Sequence, residues 1–103
     1  MAKAIERIKH ILPEGHGMEK EWEVSFGKGS VLCYNTYRHK KDGWLYCGDF
    51  RFRLRITKKS MGISFPYVTE YGKKTVEEEG IKDYLETLFG RYRYDIMKAG
   101  GLV

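Results

Sequence analysis

Trp44-Leu45-Tyr46-Cys47-Gly48-Asp49-Phe50-Arg51-Phe52-Arg53-Leu54-Arg55-Ile56-Thr57 decides the fold. Trp44, Tyr46, Gly48, Phe50, Phe52, Leu54 and Ile56 share one parity, while Leu45, Cys47, Asp49, Arg51, Arg53, Arg55 and Thr57 share the other. A period of two is the mark of a β-strand with one face in a core and one in water. Gly48 has no side chain to pack, which predicts a bend or bulge that lets so long a strand coil across a sheet.

Upstream, Arg38-His39-Lys40-Lys41-Asp42-Gly43 reads as a polar loop, ending in the Asp-Gly pair that tolerates positive φ in a hairpin. Before it, Val31 to Tyr37 is β-branched and aromatic and predicts a second strand. Trp22, Val24 and Phe26 alternate with Glu21, Glu23 and Ser25 as a first strand, and Gly27-Lys28-Gly29 turns one into the other. Ile5, Ile8, Ile11 and Leu12 recur at helical spacing opposite Lys3, Glu6, Arg7 and Lys9, so Ala2 to Leu12 predicts a short amphipathic helix. Pro13 ends it, because proline cannot donate a helical hydrogen bond.

Downstream, Lys58-Lys59-Ser60-Met61-Gly62 returns the chain, and Ile63, Phe65, Tyr67, Thr69 and Tyr71 mark one side of a fourth strand. Pro66 lacks the N–H that a central ladder needs, which places this strand at an edge, at least locally. Thr75-Val76-Glu77-Glu78 fits a capping box, so a last helix is expected to start there and to carry Ile81, Tyr84, Leu85, Leu88, Phe89 and Tyr92 as one apolar stripe. Acidic Glu77 to Glu79 at its start and Arg91, Arg93 and Lys98 near its end suit the helix dipole. Gly80 is expected to allow close approach to the sheet, Gly90 to kink or end the helix, and Gly100 to Val103 to fray.

The expected architecture is therefore α+β: a four-stranded antiparallel meander with a C-terminal helix packed on one face and a short N-terminal helix, in the order αββββα. The 103 residues, 42% hydrophobic and 15% aromatic, suit one domain with its own core and exclude wholesale disorder. No apolar run approaches the roughly 18 residues of a membrane span, and Met1 to Leu12 is too charged for an export signal. A cytoplasmic protein with reduced thiols and no membrane association is expected.

The net charge is +5, and it is concentrated. Between positions 38 and 59 stand eight basic residues, Arg38, Lys40, Lys41, Arg51, Arg53, Arg55, Lys58 and Lys59, against two acidic ones, Asp42 and Asp49. Alternate residues of a strand are about 6.7 Å apart, so the three odd-numbered arginines repeat at roughly the distance between successive backbone phosphates. With Lys40-Lys41 and Lys58-Lys59 at the two ends of the face, and Tyr34 or Tyr37 available for stacking on bases, this predicts a basic sheet that binds nucleic acid. The competing consideration is a matching acidic row, Glu19, Glu21 and Glu23, on the first strand. In a simple meander the second strand intervenes, which leaves the arginines freer.

Other chemistry finds little support. His10, His16, His39, Cys33 and Cys47 show no metal-ligand spacing, so neither metal nor cofactor is expected. Cys33 and Cys47 would oppose one another if residue 36 faced residue 44, and a one-residue slip would part them. Gly27-Lys28-Gly29-Ser30 lacks the spacing of a phosphate-cradling loop, and an anion at Gly72-Lys73-Lys74-Thr75 would meet three glutamates. No nucleophile and base pair by spacing, and no enzyme is expected.

The stretch from Lys41 to Leu88, with Asp42-Gly43-Trp44, the Arg51-Phe52-Arg53 strand and Thr75-Val76-Glu77-Glu78, resembles the arm-type DNA-binding domains of phage and transposon integrases. In those a small antiparallel sheet is followed by one helix beginning Thr-x-Glu-Glu, and the resemblance implies a groove-facing role for Arg51, Arg53 and Arg55. The α-β-β-β-α order of double-stranded-RNA-binding domains is similar too, but their last helix begins basic where this chain has Glu77-Glu78-Glu79.

The expected function is a non-enzymatic module contacting the nucleic-acid backbone. The alternative is a small protein-interaction module, an inhibitor or adaptor of a phage or mobile element. It would meet an acidic protein surface with the same basic face, or use Tyr67, Tyr71, Tyr92 and Tyr94 as anchors. A homodimer would pair through the first strand's free edge where the N-terminal helix does not cover it.

Overall fold

In the computed structural model the described residues are 2–41 and 45–103, those at 41 and 45–47 by backbone alone. The elements are α1 (Ala2–Ile11), β1 (Glu23–Gly27), β2 (Ser30–Lys41), β3 (Leu45–Thr57), β4 (Met61–Ser64), α2 (Glu70–Glu78), α3 (Ile81–Gly90) and α4 (Arg93–Ala99). The strands form one antiparallel sheet in the order β1-β2-β3-β4, the expected meander within an α+β fold.

The alternation around Arg53 sorts the two faces. Cys33 lies opposite Leu54, and Leu54 opposite Ile63; Val31 faces Ile56, and Tyr37 faces Phe50. All of these side chains are buried. The same cluster takes Ile8 and Leu12 from the N-terminal helix and its end, Val76 from α2, Ile81, Leu85, Leu88 and Phe89 from α3, and Ile96 and Met97 from α4. All four helices therefore pack on one side of the sheet, and among the described residues no helix covers the other.

At the centre of the core Trp22 meets Phe52 and Phe89 edge-on, with ring centroids 5.7 and 5.3 Å away, while Phe52 and Phe89 stack at 5.7 Å. The Trp22 indole donates to the Pro13 carbonyl at 3.1 Å, which fastens the segment after α1 to the same point. Asn35 is buried in the sheet, and its side chain acts like a piece of strand backbone. Its Oδ1 accepts from the Lys20 N–H at 3.1 Å and its Nδ2 donates to the Lys20 carbonyl at 2.7 Å.

Several expectations are corrected. β2 does not give way to a loop at Arg38 but runs on to Lys41; Asp42, Gly43 and Trp44 lie outside the described residues. The expected bulge is present: His39 faces Gly48 and Lys40 faces Tyr46, so Cys47 is the extra residue. Gly48 has φ +152°, a value that residues with a side chain rarely adopt. This register sets Leu54 against Cys33, so Cys33 and Cys47 do not oppose one another.

β4 is shorter than expected and stops at Ser64. Thr57 donates its N–H to the Ser60 carbonyl, and the register continues through Arg55 opposite Gly62 and Arg53 opposite Ser64. The next residue in that bonded series would be Pro66 opposite Arg51. Proline has no N–H to give to the Arg51 carbonyl, and the ladder ends there.

The C-terminal helix is three helices. It starts at Glu70, capped by Thr69, whose hydroxyl accepts from the Gly72 N–H at 3.1 Å. Thr75 is inside α2, its hydroxyl bonded back to the Tyr71 carbonyl, so the capping-box reading and the integrase-like helix start both fail. Lys73 and Lys74 fall within the helix and pair with Glu70 and Glu78. Gly80, at φ +64°, breaks α2 from α3, and a Cβ there would meet nothing within 4 Å, so its role is conformational rather than close approach. Close approach occurs at Gly100, where a Cβ would lie 2.7 Å from Val31. Nor is the segment after α4 loose. Leu102 donates to the Met97 carbonyl and Gly101, at φ +75°, to Lys98, a Schellman cap that seats Leu102 against the core.

Because Phe89 joins α3 to both Trp22 and the sheet, Phe89→Ala is expected to cost about 3–5 kcal/mol, the usual range for emptying a buried phenylalanine site. A urea melt would read this as a lower midpoint. A cost under about 1 kcal/mol would mean that the aromatic cluster is not the keystone described.

Candidate functional site

The uncovered face is assembled from the even residues of β2 and the odd residues of β3. Glu23, Tyr34, Arg53 and Ser64 lie side by side across the sheet, followed by Ser25, Leu32, Arg55 and Gly62; Thr36 adjoins Arg51 and Arg38 adjoins Asp49. Arg51, Arg53 and Arg55 thus share one face, the side away from the helices, as the strand period requires.

Their environments differ. Arg51 donates through Nη2 to Glu23 Oε2 at 2.7 Å, its guanidinium lies 5.7 Å over the Tyr34 ring, and its side chain is 27% exposed. Glu23 and Arg51 reach one another diagonally over β2, since two strand spacings, about 9.6 Å, are within the joint reach of these long side chains. The intervening strand therefore does not leave Arg51 free, contrary to expectation. Arg38 pairs with Glu19 at 2.8 Å and with Asp49 at 3.2 Å, and Glu21 takes Lys9 at 3.5 Å. Each glutamate of the acidic row engages a different cation.

Farther along β3 the balance changes. Arg53 is half-buried, with no hydrogen-bond partner on Nε, and Arg55, Lys58 and Lys59 are exposed. Among the described residues none of these four forms an ion pair. The turn that carries the two lysines is braced: Thr57 Oγ1 accepts from the N–H groups of Lys59 and Ser60, and Arg93 Nη2 donates to the carbonyls of Thr57 and Lys58. Ser30 opposite Thr57 brings the β1–β2 turn alongside, and Gly29, Thr57, Lys58 and Lys59 line one shallow hollow together with Gly101 and Leu102 from the segment after α4. Lys28 is thereby added to the cationic end. It was missed in the sequence, although a meander necessarily puts its first and third turns at the same end.

The remaining candidates separate from this group. Lys40 is exposed at the opposite end, beside a cleft lined by His16, Arg38 and Tyr84; Lys41 is described by backbone alone. Tyr37 points into the helix layer and is not available for stacking, while Tyr34 lies on the open face beneath Arg51. Of the aromatic anchors, Tyr67, Tyr71 and Tyr94 are exposed and Tyr92 packs against the core.

One cluster had no signal in the sequence. Tyr37 and His39 share a hydrogen bond at 3.3 Å, His39 Nε2 lies 3.7 Å from Glu79, and the Tyr37 ring is 5.7 Å from that of Tyr84. Burial, with a smaller contribution from Tyr84, pushes the Tyr37 hydroxyl above its ordinary pKa, the opposite of what a phenolate nucleophile needs. Among the described residues no three histidine, cysteine or acidic side chains converge as a metal site, and no helix is long and apolar enough to cross a membrane. The chain matches no family model, no curated protein and no solved structure.

Cys33 is buried, and desolvation pushes its thiol from 9.0 up to about 12. The unfolded chain loses this proton first, so the contribution to stability is complete below about pH 9 and is lost as pH rises toward 12. In a Cys47→Ser background the thiol is expected to resist iodoacetamide at pH 8 until urea unfolds the protein. Its urea midpoint is expected to fall between pH 8 and 10.5 more than that of the same background carrying Cys33→Ala. Labelling of the native protein would contradict the burial.

Proposed function

We propose that this chain is a non-enzymatic module that binds the backbone of nucleic acid through the free half of its open sheet face. Arg53, Arg55, Lys58 and Lys59, joined by Lys28, contact phosphates. Arg51 and Arg38 are held by carboxylates and set the edge of the footprint, and Lys40 and Lys41 add long-range attraction from the far end. The observation that supports this reading is the segregation of charge: Arg53 and Arg55 on the face that no helix covers, and Lys28, Lys58 and Lys59 in the two turns at its end, have no carboxylate partner among the described residues, whereas Arg51 and Arg38 do. Such a surface favours a polyanion, because each phosphate contacted releases condensed counterions.

A protein-interaction module is the second reading, favoured by Tyr67 in the turn before α2 and Tyr71 in its first turn, which are 82% and 81% exposed. Binding of a labelled single strand and a labelled duplex, followed by anisotropy against salt, separates the two. Affinity is expected to fall with a log–log slope of roughly −0.7 to −0.9 per phosphate contacted, and the combined Arg53→Ala, Arg55→Ala, Lys58→Ala, Lys59→Ala variant is expected to lose binding. Glu23→Gln, which releases Arg51, is expected to tighten binding and steepen the slope by about one contact. Equal binding by the fourfold variant and the parent would refute the assignment.

A further inference from the structure

The end of β4 leaves β3 half-paired. Backbone groups of a strand point alternately to its two sides, and the Thr57 N–H points to β4, as it bonds to Ser60. By the same alternation the N–H and C=O of Arg55 and Arg53 serve β4, and those of Arg51 and Asp49 point into the same lane beyond its end. Among the described residues no backbone group after Ser64 bonds to them. The chain turns away at Pro66, with Val68 bonded back to Phe65, and enters α2.

What lies in that lane is a groove of about 300 Å³, lined by Gly48, Asp49, Phe50 and Arg51 on the strand side and by Val68 and Tyr71 among others on the helix side. Tyr67 and Tyr71 stand at its mouth, exposed as given above. A free strand edge is normally blunted by a charge, a proline, a bulge or a covering element. Here the bulge at Gly48 and Pro66 bound the open stretch without filling it.

We propose that the edge of β3 from Asp49 to Arg51 is a strand-acceptor site for an extended segment of a partner protein, which continues β4 where Pro66 ends it. The occupant follows from the chemistry. Two outward N–H and two outward C=O groups in register with an existing ladder are met in full by another polypeptide backbone in extended form, and by neither a helix nor a phosphate. The incoming residue opposite Phe50 points toward the helix layer, between Phe50, Val68 and Tyr71, so an uncharged β-branched or aliphatic side chain suits it. Its neighbours lie beside Arg51 and Asp49 on the open face. Tyr67 and Tyr71 border the lane opposite the strand, and pairing with a second copy of this protein is the alternative that the concentration dependence below tests. The site uses backbone groups at the sheet edge and does not depend on the nucleic-acid reading.

The probe is a capped heptapeptide of alternating threonine and valine flanked by lysines, titrated into the isotopically labelled full chain. Amide shifts are expected at residues 48–51 and 67–72, with hydrogen exchange at the Asp49 and Arg51 amides slowed about tenfold at saturation. Arg51→Ala keeps the backbone N–H and is expected to bind within about twofold of the parent, whereas Arg51→Pro removes one outward donor and is expected to bind about tenfold more weakly. Should Arg51→Pro fail to fold, the peptide N-methylated at alternate residues tests the same bond on the unaltered protein and is expected not to bind. The proposal is overturned by shifts confined to Arg53, Arg55 and Lys58, by undiminished binding of the N-methylated peptide, or by no shift at millimolar peptide. Protection of the Arg51 amide that rises with protein concentration alone would assign the edge to self-pairing and overturn it too.

Discussion

Trp22, Phe52 and Phe89 come from three parts of the chain that have no local reason to meet: the segment before β1, the middle of β3, and α3. Their mutual packing commits the even face of β3 to the helix layer. Aromatic pairs of this geometry contribute about 0.5–1.5 kcal/mol each beyond the area they bury. The hydrogen bond from Trp22 to Pro13 draws the end of α1 to the same side. With every helix held there, no helix among the described residues covers the opposite face, and the odd residues of β3 are shielded only by their neighbours in the sheet. The open arginine face is thus a by-product of where the aromatic core sits.

An uncovered face is not a uniformly cationic one. Glutamate and arginine are long enough to bridge an intervening strand, so Glu23 neutralises Arg51 across Tyr34 while Glu19 and Asp49 share Arg38. The charge gradient that results runs along the sheet, from paired residues near the β2–β3 hairpin to free ones at the two turns. It could not be derived from the strand period, because it depends on diagonal distances between residues 28 positions apart in the chain.

Proline and glycine shape the rest. Pro66 ends the β3–β4 ladder by withholding one N–H, and the four residues of β4 leave part of β3 as an edge. Gly80 enters the left-handed region and splits what the apolar stripe presents as one helix. The split ends α2 at Glu78 while Ile81, Leu85, Leu88 and Phe89 of α3 keep their place in the core. The apolar period survives across Gly80 because both helices bury a face against the same core, which is why the sequence pattern alone did not reveal the break.

Local periodicity by itself determined the class of the fold, the four strands in their order, α1 with its stop at Pro13, the bulge at Gly48 and the shared face of Arg51, Arg53 and Arg55. These follow from backbone geometry that each short segment carries within it: a repeat of two, a repeat of 3.6, a missing N–H, a missing side chain. The tertiary structure decided which arginines are paired, that Lys28 joins Lys58 and Lys59, that Tyr37 is buried and Tyr34 is not, that the last helix is three, and that the residues after α4 are capped rather than loose. Each of these turns on through-space contact between segments far apart in the chain, and contact of that kind is fixed by core packing and side-chain reach, neither of which a periodic pattern encodes.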